Sequence, residues 1–209
     1  SSPLVQERCP ILAKAVSFIG HSQTRTRGTI GGSLVHADPS GEIPTTTCGL
    51  DAEMRVLGPS GERTLDPEEF FLTYLTTSLE PSEILVEVRI PTLPQKSGWS
   101  FVELSRRSGD FAIVAVASVL FLEDGGLCRE ARIAMGGLAP TPIRAREAEA
   151  LLVGQVITDS LIEKAGKEAA EQTDPDSDYH ASSEYRRDMA RVFVRRGLKE
   201  AWNRGKGGE

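Results

Sequence analysis

The chain has 209 residues and little of several things that carry function in small proteins. Cysteine is scarce: Cys9, Cys48 and Cys128 stand far apart, without the spacing of a disulfide framework or a metal site. They cannot hold an iron–sulfur cluster, which needs clustered thiolates, and they read as small buried hydrophobes in a reducing compartment. Positive charge is outweighed, 24 Lys and Arg against 30 Asp and Glu, and a net charge of −6 excludes the basic footprint of a nucleic-acid binder. No apolar run reaches the length of a membrane span; the longest, Phe111 to Leu122, is short and rich in β-branched residues. No signal-peptide pattern opens the chain, so the expected location is the cytoplasm. The absence of a P-loop lysine and of a dinucleotide-type G-x-G-x-x-G argues against a free-standing nucleotide-binding domain.

What is present is ordinary globular material, 39% hydrophobic and 26% charged, enough for one or two cores. One stretch departs from the ordinary. In Thr29-Ile30-Gly31-Gly32-Ser33, followed by His36-Ala37-Asp38-Pro39 and Glu42-Ile43-Pro44, glycines crowd beside hydroxyls and carboxylates. Glycine lets the backbone come close to a bulky group. Amides exposed by a Gly-rich bend form a nest suited to a pyrophosphate, and nearby carboxylates suit sugar hydroxyls. By spacing alone such a Gly-Gly is more often a plain turn.

The periodicity predicts a helix over 1–20, with Ile11, Leu12, Ala15, Val16 and Ile19 on one face. A short helix is expected over 45–50, a β-hairpin over 53–65, and a helix starting at Asp66-Pro67-Glu68-Glu69. A half-buried strand follows over 84–90. Residues 91–98, rich in Pro and Gly, mark a boundary between residues 1–94 and 95–209. The second unit predicts strands over 99–106, 111–122 and 127–135, with a turn at 123–126, forming a three-stranded antiparallel sheet with helices on one face. Those helices are expected over 143–153, 158–171 and 182–203, with a loop over 172–179 and a loose tail from Gly205. The fold class is α+β.

The words T-I-G-G-S-L and H-A-D-P resemble the second flavin-binding motif of the FAD-binding medium subunits of the molybdenum hydroxylases. That family includes carbon monoxide dehydrogenase, xanthine dehydrogenase and aldehyde oxidoreductases. Phe70-Phe71 with Tyr74, then Pro81-Ser82-Glu83-Ile84-Leu85, fit the family's segment beside the flavin ring. Ser105-Arg106-Arg107-Ser108-Gly109-Asp110-Phe111-Ala112 and Gly136-Gly137-Leu138-Ala139-Pro140 fit its C-terminal domain. The resemblance runs from about Ser2 to about Trp202. It implies the second part of a vanillyl-alcohol-oxidase-type FAD-binding domain, followed by a small domain with the three-stranded sheet and helices. The family's first Gly-rich loop has no counterpart before Thr29, so the chain reads as a fragment that alone should bind FAD weakly or not at all.

The resemblance also implies a role. The subunit would pass electrons from [2Fe-2S] clusters on a small subunit, through FAD, to an external acceptor such as NAD or a quinone. Substrate chemistry would lie on a large subunit with a molybdenum–pterin centre, in a heterotrimer. No residue of this chain would be catalytic, and none would bind a metal. The cofactor-binding candidates are Thr29, Ile30, Gly31, Gly32, Ser33, Asp38, Glu42, Tyr74 and Leu85. Their bland readings are a turn for the glycines, local hydroxyl bonds for Thr29 and Ser33, surface acids for Asp38 and Glu42, and core positions for Tyr74 and Leu85. His36 has no partner spaced to orient it for catalysis. The family often carries a lysine near Val102, close to the flavin edge, and here valine removes that charge. Arg106 and Arg107 with Asp110 read as a domain-interface ion pair or as support for the flavin pocket. The rival reading is a non-flavin scaffold subunit of the same kind of complex, its cofactor site vestigial.

Overall fold

The structure, a computed structural model, describes residues 2–94, 97–123 and 125–207. It opens on α1 (Pro3–Arg8) and α2 (Pro10–Val16), not one helix through Gly20. Proline cannot continue a helix and pushes the residue before it out of the helical region. Cys9 accordingly sits at φ −145°, ψ 64°, and Pro10 starts the second helix. Then come α3 (Ser22–Arg27), α4 (Ile30–His36) and α5 (Glu42–Gly49). The expected hairpin forms as β1 (Glu53–Gly58) and β2 (Gly61–Leu65), turned at Gly61 with φ +109°.

Asp66 caps α6 (Pro67–Phe70) through a reciprocal capping box with Glu69. The helix lasts a single turn, because Phe71 goes extended and opens β3 (Phe71–Thr73), which pairs with β4 (Thr76–Thr77). Strand β5 (Ile84–Arg89) pairs with the free edge of β1, giving the order β2-β1-β5.

The second sheet has four strands, not three: β6 (Ser97–Leu104), β7 (Val114–Leu122), β8 (Cys128–Gly136) and β9 (Ile143–Arg144), antiparallel in that order. Ile143 and Arg144 therefore belong to the sheet, and α7 spans only Arg146–Leu152. Strand β7 starts at Val114, leaving Phe111 69% exposed. The long helices α8 (Asp159–Glu171) and α9 (Ser183–Gly205) start at Thr158 and Ser182, whose hydroxyls accept the N–H of Leu161 and Tyr185. The predicted tail divides: Gly205 ends α9, while Gly208 and Glu209 lie outside the described residues. So do Asp124 of the predicted turn and Gln95 and Lys96 of the predicted boundary.

Helices cover both faces of this sheet, which corrects the one-sided layer. On one face, Val114, Val116, Leu120, Ile133 and Met135 pack with Leu152, Val194 and Leu198 from α7 and α9. On the other, Phe101, Ala115, Ala117, Val119 and Ala134 pack with Ile11, Leu12 and Ala15 of α2 and with Cys48 and Leu50. A strand buried on both faces has no polar side to alternate with, hence the apolar run of β7, interrupted only by the buried Ser118. Small residues bring α5 down onto the sheet: a β-carbon at Gly49 would stand 3.2 Å from those of Ala117 and Ala134. A third cluster, with Leu34, Met54, Val56 and Phe70, joins α4 to β1.

Helix α5 is buried beyond its first residue and still carries Thr45, Thr46 and Thr47. Their hydroxyls donate to the carbonyls of Gly41, Glu42 and Pro44 at 2.8, 2.6 and 2.9 Å. Turned back on the helix itself, they cost the core no unpaired polar group.

Candidate functional site

The Gly-rich stretch is not the tight bend its composition suggests. Thr29 is extended at φ −125°, ψ 153° and caps α4, and Gly31 and Gly32 lie in that helix's first turn. The Thr29 hydroxyl accepts the Gly32 N–H at 2.9 Å, and the Thr29 carbonyl accepts the Ser33 N–H at 3.1 Å. That leaves the amides of Ile30 and Gly31 without an acceptor among the described residues. Unpaired amides at a helix start suit an anion.

The two glycines serve different ends. A β-carbon at Gly32 would stand 2.8 Å from the Thr29 hydroxyl oxygen and displace the cap. At Gly31 the nearest atom would be a Leu85 methyl, Cδ2, at 4.0 Å, so that face is open. A bulky group can approach the Gly31 amide with Leu85 of β5 beside it. The residues fit a diphosphate-bearing cofactor: donors face outward, and the side chain that would block them is absent.

Behind α4 the chain turns at Ala37, φ +54°, into the loop that carries the acids. Asp38 is partly spent on that loop, its carboxylate accepting the Ser40 N–H at 2.8 Å. Pro39 ties the loop to the far sheet by accepting the Gly137 N–H at 2.8 Å. Glu42 opens α5, where burial pushes its carboxyl up from the usual glutamate value, its own backbone N–H opposes this, and the Asp38 charge adds to the rise. His36 is exposed in the last turn of α4.

Tyr74 sits elsewhere. The β3–β4 hairpin meets the C-terminal end of α4, where Leu75 N–H donates to the Ala37 carbonyl at 3.1 Å. The Tyr74 phenol donates to Asp176 at 2.7 Å, which pushes its pKa up to about 12. It borders a cavity of about 250 Å³ shared with Pro39, Gly137, Asp178 and the buried Arg186. Arg106 and Arg107 form no ion pair among the described residues, against the interface reading. Arg106 lies over the Tyr179 ring at 5.9 Å, and Arg107 uses its carbonyl to accept the Asp110 N–H. Among the described residues, no carboxylate reaches either guanidinium.

Val102 faces α9: a β-carbon on Gly197 of α9 would meet its methyl at 3.4 Å. The neighbouring Glu103 takes the opposite face of β6, the one that Phe101 shares with α2 and α5. The sequence reading missed Glu103. The available signal was period-two alternation through Trp99, Phe101 and Glu103, an acid in line with two aromatics.

Two family models divide the chain. "FAD binding domain in molybdopterin dehydrogenase" matches residues 1–93, and "CO dehydrogenase flavoprotein C-terminal domain" matches residues 99–201. The medium chain of carbon monoxide dehydrogenase from Hydrogenophaga pseudoflava is 36% identical over 204 residues, covering 98% of this chain and 71% of the relative. The chain belongs to the FAD-binding medium subunits of the molybdenum hydroxylases. Among its other relatives, the 6-hydroxypseudooxynicotine dehydrogenase complex subunit alpha of Paenarthrobacter nicotinovorans is 39% identical, over 98% of this chain and 69% of that one. A solved carbon monoxide dehydrogenase from Hydrogenophaga pseudoflava superposes with a TM-score of 0.94 at 38% identity, over 97% of this chain and 70% of that one. Quinoline 2-oxidoreductase from Pseudomonas putida 86 does so with a TM-score of 0.89, also at 38% identity, over 96% of this chain and 70% of that one. This medium subunit is therefore an oxidoreductase subunit whose cofactor is FAD. No helix among its described residues is long and apolar enough to cross a membrane.

Proposed function

We propose that this medium subunit relays electrons from [2Fe-2S] clusters on a small subunit to an external acceptor, while a molybdenum–pterin large subunit oxidises the substrate. FAD, when bound, exchanges electrons singly or in pairs, which suits that junction. This chain's part is to hold it. Residues 1–94 provide the cradle, and residues 95–209 back it through the shared face of the four-stranded sheet. The amides of Ile30 and Gly31 donate to the diphosphate. Thr29 holds the helix start in place through Gly32, and Ser33 adds a hydroxyl. Glu42, with Asp38 behind it, accepts from sugar or ribityl hydroxyls, and Leu85 borders the ring system. Tyr74 acts by anchoring the β3–β4 hairpin to Asp176. The buried, free cysteines fit the cytoplasmic setting we propose.

The observation that carries this reading is the pair of unpaired amides beside the open face of Gly31. The test is to purify the native complex and measure molybdenum, iron and flavin together, then repeat with Gly31→Leu. Flavin should fall while molybdenum and iron stay. A complex that keeps its full flavin with Gly31→Leu, or that contains iron and molybdenum but no flavin from the start, favours the scaffold reading.

A further inference from the structure

Strand β5 does not pair as its own pattern directs. In Ile84-Leu85-Val86-Glu87-Val88-Arg89, regular alternation puts Ile84, Val86 and Val88 on the core face and turns Leu85, Glu87 and Arg89 outward. The structure keeps Val88 opposite Met54 and Glu87 opposite Arg55, but the next residue of β1, Val56, faces Leu85. Val86 is the extra residue of a β-bulge. From there the strand presents its other side. Leu85 joins the cluster with Leu34, Met54 and Val56, while Ile84 is 60% and Val86 43% exposed. This exchange brings a Leu85 methyl within 4.0 Å of the place a β-carbon would take at Gly31. Two apolar side chains are left in solvent to bury one, so hydrophobicity does not explain the bulge.

A clamp at the start of the strand does. Arg63 of β2 grips Glu83 with a fork, Nε to Oε1 at 2.8 Å and Nη2 to Oε2 at 2.7 Å, and the same Nη2 donates to the Ser78 carbonyl at 2.7 Å. Glu83 Oε2 also accepts the Glu80 N–H at 2.8 Å, and the Glu83 N–H donates to the Glu80 carbonyl at 2.9 Å, closing the turn before β5. The Glu83 side chain lies against Gly58, the last residue of β1, where a β-carbon would stand 2.7 Å from Glu83 Cγ. On the far side of the bulge, Glu87 is held by Arg55, which also binds Glu62. Relieving the bulge means sliding residues 83–86 by one place, about 3.4 Å along β1. That slide sets Val86 opposite Val56 and Leu85 opposite the exposed Leu57, and it carries Glu83 past the end of β1. A forked Arg–carboxylate pair is directional as well as charged, and the slide breaks it.

We propose that Glu83, gripped by Arg63, is a positioning residue for the cofactor site: it selects the bulged register of β5 and so turns Leu85 toward the open face of Gly31. The proposal rests on the reading of Gly31 and Leu85 given above. Glu83 acts only through Leu85. Both registers would bury apolar side chains, so the core alone does not choose between them; the ion pair does. The bulge then re-aims a single side chain, as bulges do beside binding sites.

Register is read by cross-linking in the purified complex, since directly paired strand residues lie within disulfide reach and this chain's own cysteines are buried. Leu57→Cys with Ile84→Cys should link on oxidation, and Leu57→Cys with Leu85→Cys should not. Adding Glu83→Ala should reverse this. Arg63→Lys, which keeps the charge but not the fork, should give both links. If Glu83→Ala and Arg63→Lys both keep the wild-type pattern, the clamp does not set the register and the proposal falls. Positioning is read from the FAD affinity of the complex. Leu85→Ala and Glu83→Ala should each lose about tenfold, the contact of one buried leucine, and the double variant should lose no more than the worse single. Losses that add would overturn action through Leu85 and leave the flavin reading standing. If neither Gly31→Leu nor Leu85→Ala lowers FAD affinity, the flavin reading falls and the cofactor role of Glu83 with it, while the cross-links still decide the register.

Discussion

Gly136 and Thr45 touch without a side chain between them, since a β-carbon at 136 would stand 2.2 Å from the threonine hydroxyl. This contact seats the first turn of α5 on the end of β8. It joins the part of the chain that carries the Gly-rich helix to the part that carries the large sheet. Gly136→Ala should lower stability by about 1–3 kcal/mol, the usual cost of overpacking. Thermal unfolding measures this, and FAD affinity of the complex should fall with it because Glu42 rides on the same turn.

The adjacent glycines should separate in a mutational test. Gly32→Ala displaces the Thr29 cap and should cost about 0.5–2 kcal/mol, as would Thr29→Ala. Gly31→Ala meets nothing closer than 4.0 Å and should leave the melting temperature unchanged or raise it slightly. Both should reduce flavin content of the complex. Equal melting temperatures for all of them would show that the Thr29 hydroxyl is not acting as a cap.

Arg144 is buried in β9 and donates to both carboxylate oxygens of the buried Glu149, at 2.6 and 2.9 Å, while Glu149 also accepts the Ile133 N–H at 2.7 Å. Removing one partner strands the other's charge. Arg144→Met should therefore cost about 3–5 kcal/mol, and adding Glu149→Leu should recover a good part of it. Denaturant unfolding of the single and double variants checks this. A double variant no better than the single would mean that the Ile133 bond, not the ion pair, dominates.

Stability should depend on pH through Glu103. Its ordinary value of 4.5 is raised to about 8 in the fold. The folded chain thus binds more protons than the unfolded one between those values, and the stability of unfolding falls as pH rises. The contribution is fully present below pH 4.5, shrinks through the window and is gone above about 8. Glu103→Gln should remove this slope. Chemical denaturation at pH 5, 7 and 9 measures it, and parallel curves for the two proteins would contradict the assignment.

Much of the fold is local and so was legible. Asp66 with Glu69, Thr158 and Ser182 announce their helices because a cap needs only residues within one turn. The hairpin over 53–65 follows from alternation and Gly61. Legibility failed where a neighbour distant in sequence decided the outcome. Ile143 and Arg144 carry the apolar pattern of a helix, yet β8 offered an unpaired edge and took them as a strand. Thr29 to Ser33 has the composition of a turn, but the Thr29 hydroxyl commits the glycines to a helix start.

Taken alone, the amino-acid order determined the class, the Gly-rich cofactor word and most element boundaries, because these depend on backbone preferences and hydrogen bonds within a few residues. Tertiary structure alone decided that α2 and α5 cover the second face of the sheet, and that Val102 turns away from α5 while Glu103 turns toward it. Strand pairing sets Glu103 in line with Ala115 and Gly136, and the bare Gly136 lets α5 close on β8; no local pattern encodes contacts between such distant elements.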